Sequence, residues 1–233
     1  WTLGAPSLQG PWSTLSPLSQ KREVLCLAAA AGRFVATLGR SSGALTVMVS
    51  TDGGRTWSGP APSALPRMVS PERFVVSALA PGQVFAFGGR GAKLHHCADG
   101  GESWREITAS LDGRPVTRWI DVQATAEGRI LALVVQRGRV RFAVGDADFH
   151  LASRPHPGIE GKQILVLASG TICVFGTRKA SARAAVARSL DGGHTWSAKD
   201  VEAAAHVRAV EAGARCFWAT RGGATDLWVS GDS

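Results

Sequence analysis

Three observations predict an all-β fold, a five-bladed β-propeller built from four-stranded antiparallel blades. An eight-residue box recurs along the 233-residue chain. Its spacing is about 46 residues or twice that, and each period also holds short runs typical of β-strands. Four short strands per period make one propeller blade, and a chain of this length has room for five blades.

The recurring box reads Ser-x-Asp-x-Gly-x-Thr-Trp and predicts a tight hairpin. It occupies residues 50–57, 97–104 and 189–196, with Cys97 replacing the serine and Ser103 the threonine. Glycine tolerates positive φ, the aspartate can accept hydrogen bonds from the turn's own amides, and the tryptophan covers the turn with an apolar face. We therefore expect each box to form a strand–turn–strand corner. The structural residues of these boxes are Asp52, Trp57, Asp99, Trp104, Asp191 and Trp196.

The box tryptophans set the period. Trp57 and Trp104 lie 47 residues apart, and Trp196 follows 92 residues later, which is two periods. A degenerate copy is therefore expected at residues 145–150, which keep an aspartate but lose the glycine pair. Trp12 lies 45 residues before Trp57 in a similar Trp-Ser context. Joined head to tail, the chain leaves no room for a sixth unit.

Two further strand-like runs precede each box position and complete the blades. They cover residues 23–30 and 34–38, 74–80 and 84–87, 119–125 and 130–135, 164–168 and 172–175, and 207–210 and 216–219. The blades are expected at approximately residues 19–65, 66–111, 112–157, 158–203, and 204–233 together with 1–18. The N-terminal segment would then add the outer strand to the C-terminal blade and close the ring. The alternative for this segment is a frayed arm.

The boxes resemble the Asp-box repeats, also called bacterial neuraminidase repeats, of sialidase-type propellers, sortilin-type receptors and the photosystem II assembly-factor family. The stretch from residues 82–90 through the box at 99–104 is most similar to the last of these. The resemblance implies a propeller, and for the assembly-factor family it implies an accessory protein of a larger complex. It also implies a periplasmic or extracellular location. The repeat is specific for fold but leaves function open, because one fold carries many functions.

A second repeat places cations at one end of each blade. A glycine is followed by an arginine at or near the end of every second strand, and another cation precedes or opens every innermost strand. Antiparallel strands bring both sets to one face, opposite the boxes. The first set is Arg40, Arg90, Arg137, Arg178 and Arg221, and the second is Arg22, Arg73, Arg118, Lys162 and Arg208.

These cations predict a basic face that binds an anionic partner. The net charge of +8 favours such partners. An acidic protein segment, nucleic-acid phosphates or an anionic lipid would each span the face. We favour the protein segment, because the basic strands are not interleaved with aromatic residues as in single-strand binders. The alternative is an ordinary solvated rim.

The composition argues against one enzyme class. The chain contains no tyrosine, which excludes the usual sialidase mechanism with its tyrosine nucleophile. A two-carboxylate glycosidase would need two facing acids, and none of the acidic candidates is repeated or set in a motif. A sialidase-like carbohydrate-binding or glycoside-hydrolase-related propeller is the alternative to a non-catalytic scaffold. The acidic candidates are Glu72, Asp112, Asp121, Glu160 and Glu202.

No metal or other cofactor is expected. His95 and Cys97 should point to one side of a strand and His96 to the other, so they cannot close one tetrahedral site. Phosphate-loop, zinc-protease and nucleophile-elbow motifs are missing from the sequence. The four cysteines are expected to be small buried hydrophobes. No apolar stretch approaches 18 residues, so we expect neither a membrane span nor a signal peptide.

Overall fold

The computed structural model describes residues 103–167, 169–181 and 183–200, together with the strands given below and the segments 51–52, 55–57, 80, 82–88 and 92–99. Before residue 48, after residue 200 and in 73–76 apart from Val75, the description is limited to strand backbones. The chain forms two compact units. The first comprises residues 1–89 and 93–107, and the second comprises residues 90–92 and 108–233.

The first unit contains three antiparallel sheets. Strands β1 (Thr2–Gly4) and β2 (Ser13–Leu15) form a pair. Strands β3 (Glu23–Ala30), β4 (Arg33–Gly39) and β5 (Thr46–Ser50) form a three-stranded sheet. Strands β6 (Arg73–Val76), β7 (Val84–Phe87), β8 (Leu94–Cys97) and β9 (Arg105–Ile107) form a four-stranded sheet. Strand β3 packs beside β6, so the first strands of two successive sheets are neighbours.

The second unit begins with a six-stranded sheet. Its strands are β10 (Ser110–Leu111), β11 (Arg114–Pro115), β12 (Arg118–Ala124), β13 (Ile130–Gln136), β14 (Arg139–Gly145) and β15 (His150–Ser153). They lie in the order β11-β10-β15-β14-β13-β12, and only the β10–β15 pair within this sheet is parallel. Two residues connect β11 to β12, which are the two edges of the sheet. The sheet is therefore curled.

Two further antiparallel sheets complete the second unit. Strands β16 (Glu160–Val166), β17 (Ile172–Thr177), β18 (Ala184–Ser189) and β19 (Ser197–Asp200) form a four-stranded sheet. Strands β20 (Val207–Ala212), β21 (Arg215–Thr220) and β22 (Leu227–Ser230) form a three-stranded one. Strand β12 packs beside β16, and β16 beside β20. The innermost strands of successive sheets are thus neighbours, as the blades of a propeller require.

The structure confirms the all-β prediction in the described residues. It differs from four strands per blade at the β10–β11 hairpin, where the Asp112–Gly113 turn has positive φ at both residues and adds two strands to the blade. The predicted closing strand also shows a different pairing, since Ser13–Leu15 pairs with Thr2–Gly4. Five blades and a ring closed by the N-terminal segment remain predictions.

Three of the innermost strands share an irregularity that the sequence did not predict. Register shifts interrupt β3 between Val24 and Cys26, β12 between Trp119 and Asp121, and β16 between Gly161 and Gln163. A bulge bends its strand and re-aims the extra side chain. In β16 that extra residue is Lys162.

An aromatic contact packs the β16–β19 sheet against the β10–β15 sheet. The rings of Phe142 and Trp196 meet edge to face with centroids 5.0 Å apart, a favourable geometry for aromatic pairs. Phe142 is buried, and its ring also covers Gly193. The box of residues 189–196 therefore fixes a hairpin and also joins two sheets.

Gly193→Ala tests this packing. Gly193 has φ +89°, and a Cβ there would lie 2.5 Å from the Phe142 ring. We expect the substitution to lower the free energy of unfolding by about 2–4 kcal/mol, because backbone strain and overpacking add. Gly192→Ala is the matched control, since its φ is +69° but nothing lies within 4 Å of the added Cβ. Equal losses for the two variants in urea denaturation would contradict the proposed role of the Phe142 contact.

Candidate functional site

The three box aspartates are structural acceptors that hold their own turns. Asp191 accepts hydrogen bonds from the Thr195 amide at 2.9 Å, the Thr195 hydroxyl at 2.6 Å and the Ser189 hydroxyl at 2.8 Å. Asp52 repeats this pattern with Thr56 and Ser50. The hydroxyl and amide four residues ahead hold the pKa of both carboxyls well below its usual range. Each carboxylate therefore stays charged and closes a four-residue turn.

The second box keeps this geometry with altered residues. Asp99 accepts from the Ser103 amide at 2.9 Å and from the Ser103 hydroxyl. Cys97, in the place of the first serine, donates its thiol to Asp99 Oδ1 at 2.7 Å. Cys97 is buried, as is Cys173, in agreement with the expectation of small buried side chains.

The degenerate fourth copy retains the same four-residue contact. Asp146 accepts from the His150 amide at 3.0 Å and contacts His150 Nδ1 at 3.1 Å. The amide hydrogen bond from His150 holds the pKa of Asp146 below its usual value. His150 thus replaces the threonine, and Leu151, which is buried, stands where the box tryptophan would be.

The predicted cations of the β10–β15 sheet lie at the end away from these turns. Arg118 opens β12 opposite Val135, close to the end of β13. Arg137 follows β13 in a two-residue turn with Gly138, where φ is 52° and 72°. The Asp146 turn connects β14 to β15 at the other end. This sheet therefore has a cation end and a box end.

The β16–β19 sheet repeats the arrangement with a difference. Lys162 lies at the bulge of β16, and Arg178 follows the end of β17. Arg178 Nε donates to Asp200 Oδ1, and Nη2 donates to the Ala198 carbonyl at 3.0 Å. The charge of Arg178 is thus balanced within its own blade.

The side chains of the other six predicted cations lie outside what the structure describes. Arg22, Arg40, Arg90 and Arg221 lie outside the described residues. Arg73 opens β6 and Arg208 lies in β20, but only their backbones are described. A common face formed by all ten cations stays a prediction.

Three arginines at the cation end were missed by the sequence reasoning. Arg139 pairs with Gln136 and Arg141 with Val134, so both side chains leave β14 on the same face. Gln136 Nε2 donates to the Leu111 carbonyl at 2.9 Å, which ties this face to the β10–β11 hairpin that carries Arg114. The alternation Arg137-x-Arg139-x-Arg141 was the available signal.

We call Arg114, Arg118, Arg137, Arg139 and Arg141 the arginine cluster. All five side chains are exposed. Within the part of the chain that the structure describes, none of them forms an ion pair. Arg141 lies near Asp112, whose pKa is held down mainly by the Ser153 hydroxyl and amide and in smaller part by Arg141. The cluster carries far more positive charge than this one carboxylate balances.

Two of the acidic candidates, Asp112 and Asp121, accept hydrogen bonds from backbone amides. Asp121 is fully buried and accepts from the amides of Val122 at 3.0 Å and Ile164 at 2.6 Å, which links β12 to β16. Asp112 accepts from the Ser153 amide at 3.0 Å and the Ser153 hydroxyl at 2.6 Å. Glu160 is exposed at the start of β16, while Glu72 and Glu202 lie outside the described residues.

The histidine pair of β8 is buried and uncharged. His96 stacks on Phe85 at 5.1 Å, accepts from Arg105 Nε at 3.3 Å through Nδ1, and contacts Gln83 Oε1 through Nε2. Burial, with Arg105 beside it, lowers the pKa of His96 to about 4. Burial also lowers the pKa of His95. Among the residues with described side chains, no three His, Cys, Asp or Glu side chains cluster as a metal site would need.

None of the described residues forms a helix with the length and apolar character needed to cross a membrane.

Comparison with known proteins supports the propeller fold. The model of the BNR/Asp-box repeat matches residues 48–58, which contain the first box. No curated protein sequence matches the chain.

Three solved structures illustrate the likeness. The structure of YCF48 bound to a D1 peptide is 14% identical with a TM-score of 0.51, covering 95% of this chain and 68% of that one. A Dyadobacter fermentans protein of unknown function is 15% identical with a TM-score of 0.60, covering 87% and 76%. The GH74 enzyme of Niastella koreensis is 17% identical with a TM-score of 0.54, covering 88% of this chain and 36% of its own. At such identities the likeness concerns the fold alone.

Asp191→Ala and Asp146→Ala test the four-residue contact. Each removes the acceptor for the amide four residues ahead, so we expect both to lower the melting temperature by a few degrees. Asp148→Ala is the control, because the structure gives the Asp148 side chain no hydrogen bond, although its amide donates to Asp146. A melting temperature for the Asp146 variant equal to that of the Asp148 control would show that the degenerate copy has lost its structural role.

The buried His96 predicts a pH-dependent stability. Its pKa is about 4 in the folded protein and about 6.5 in an unfolded chain. Between these values only the unfolded chain binds the proton, so the free energy of unfolding should fall by about 2–3 kcal/mol as pH drops from 6.5 to 4. Urea denaturation should show that the free energy of unfolding of His96→Gln depends less steeply on pH than that of the wild type. The pH dependence that remains in this variant is due partly to His95. His194→Gln, at an exposed position, should keep the full slope, and an unchanged slope for the His96 variant would refute the assignment.

Proposed function

We propose that this chain is a non-catalytic propeller scaffold that binds an acidic protein segment through the cation ends of its blades. The arginine cluster is the observation that carries the proposal. The proposal includes the five-bladed ring, the shared basic face and a role as an assembly or accessory factor of a larger complex.

The charge and chemistry of the cluster favour carboxylates. Guanidinium groups present a planar fork that binds carboxylate oxygens in pairs, and they remain charged at every physiological pH. These five charges have the same sign and lie toward one end of one curled sheet, so their combined field favours an acidic partner. Arg178 shows the alternative within the same unit, since Asp200 neutralises it.

The distribution of apolar side chains favours a protein over a nucleic acid or a lipid. Among the residues with described side chains, Leu190 is the large hydrophobic one that is exposed, and it lies in the box at residues 189–196. The box tryptophans lie at the box ends as well. In the residues whose side chains are described, the cation end therefore offers neither a platform for stacking bases nor an apolar wedge for a membrane.

The peptide bound to YCF48 is consistent with this use of the fold. That structure contains a D1 peptide on a propeller-like relative, so related architectures can accept a peptide. The second reading, carbohydrate binding or hydrolysis, finds less support, because Asp112 and Asp121 are both engaged in holding backbone.

Charge reversal at the cation end tests the proposal. We expect Arg118→Glu with Arg137→Glu to weaken binding of a poly-glutamate peptide at least tenfold, because two attractive charges become repulsive. Arg129→Glu with Arg188→Glu changes the net charge equally, and both residues are exposed. Arg129 follows the box-end turn between β12 and β13, and Arg188 lies in β18 next to the box at residues 189–196.

Fluorescence anisotropy at low and at physiological salt would measure the affinities. Equal weakening by both double variants would indicate non-specific attraction and contradict a site at the cation end. Binding of a glycan panel with no binding of the peptide would support the carbohydrate reading instead.

A further inference from the structure

The arginine cluster contains a row with a defined spacing. Arg139 and Arg141 are two residues apart in β14 and project from one face. A strand rises about 3.3 Å per residue, so their Cα atoms are separated by about 7 Å along the strand. Arg137 continues the same two-residue interval into the hairpin turn.

The surroundings of this row keep its backbone fixed. Strand β14 pairs with β13 over residues 139–145, which include both arginines, and with β15 over residues 143–145, beyond the row. Gln136, opposite Arg139, is itself held by the Leu111 carbonyl. The arginine side chains are flexible, but the pairing of β14 with β13 fixes the backbone positions from which they leave the sheet.

Resting on the function proposed above, we propose that the Arg139–Arg141 row binds an extended segment with carboxylate side chains at every second residue. In an extended chain, side chains two residues apart share one face at the same spacing of about 7 Å as the two arginines. Each guanidinium fork then meets one carboxylate.

A helical partner fits less well. Acidic side chains four residues apart on a helix would also be close to this spacing, but like charges at that interval destabilise the helix. An extended acidic segment has no helix to destabilise, and its carboxylates, about 7 Å apart on one face, each meet a guanidinium group that offsets their repulsion. Asp112 lies near Arg141, and its negative charge repels an incoming anion in proportion to the charge of that anion.

Two peptides of equal composition test the spacing. One is an octapeptide of alternating glutamate and serine, and its isomer carries the glutamates as two adjacent pairs. We expect the wild-type protein to bind the alternating peptide about tenfold more tightly, because one charge-assisted contact is worth about that factor. Arg139→Gln with Arg141→Gln should remove this preference.

The matched control is Arg129→Gln with Arg188→Gln, which should keep the preference. Equal affinity of the wild type for both peptides, with binding still lost in the Arg118→Glu, Arg137→Glu variant, would overturn this inference and leave the proposed function standing. Absence of binding to either peptide would overturn both. Tighter binding of a thymidine oligonucleotide than of the alternating peptide, lost in the Arg139→Gln, Arg141→Gln variant, would assign the row to phosphates and also overturn the inference.

Discussion

The hydrogen bond from a residue's amide to an aspartate four positions earlier is the constraint on which the blade geometry depends. It occurs in all three intact boxes and in the degenerate copy at Asp146. The amide at such a turn has no hydrogen-bond acceptor in a neighbouring strand. Without the aspartate this N–H group would be unsatisfied and the turn would lose the contact that closes it. The charged acceptor strengthens the contact. With one end of a blade closed in this way, the connections at its other end are free to carry different side chains.

The box also explains how neighbouring sheets are joined. Trp196 donates its indole N–H to the Gly193 carbonyl at 3.2 Å and meets Phe142 of the preceding sheet. Deeper in the same unit, Asp121 reaches from β12 to the Ile164 amide beside the bulge of β16. A buried carboxylate is tolerated there because both oxygens accept backbone hydrogen bonds. The aromatic contact between Phe142 and Trp196 and the hydrogen bond from the Ile164 amide to Asp121 join the two adjacent sheets at two separate places.

The sequence predicted features set by local spacing and missed features set by the pairing of one strand with another. The all-β class and the box turns follow from spacing and strand alternation, which are local. The β10–β11 hairpin was hidden because Asp112 and Gly113 were assigned to a blade boundary, although Asp-Gly is a hairpin signal. The bulge that carries Lys162 has no sequence signature, because a register shift depends on the partner strand. The ion pair of Arg178 with Asp200 likewise needed the register of β17, β18 and β19.

The contrast between Arg178 and the arginine cluster bears on what the positive charge is for. A chain rich in arginine can neutralise surface charge internally, as Arg178 does with Asp200, although such exposed pairs contribute little to stability. Among the residues that the structure describes, the cluster finds no carboxylate within ion-pair distance, although Asp112 lies near Arg141. Asp112 is instead engaged by Ser153, which holds the β10–β11 hairpin in place. Asp112 thus holds the hairpin that carries Arg114, and its two oxygens already accept hydrogen bonds from Ser153.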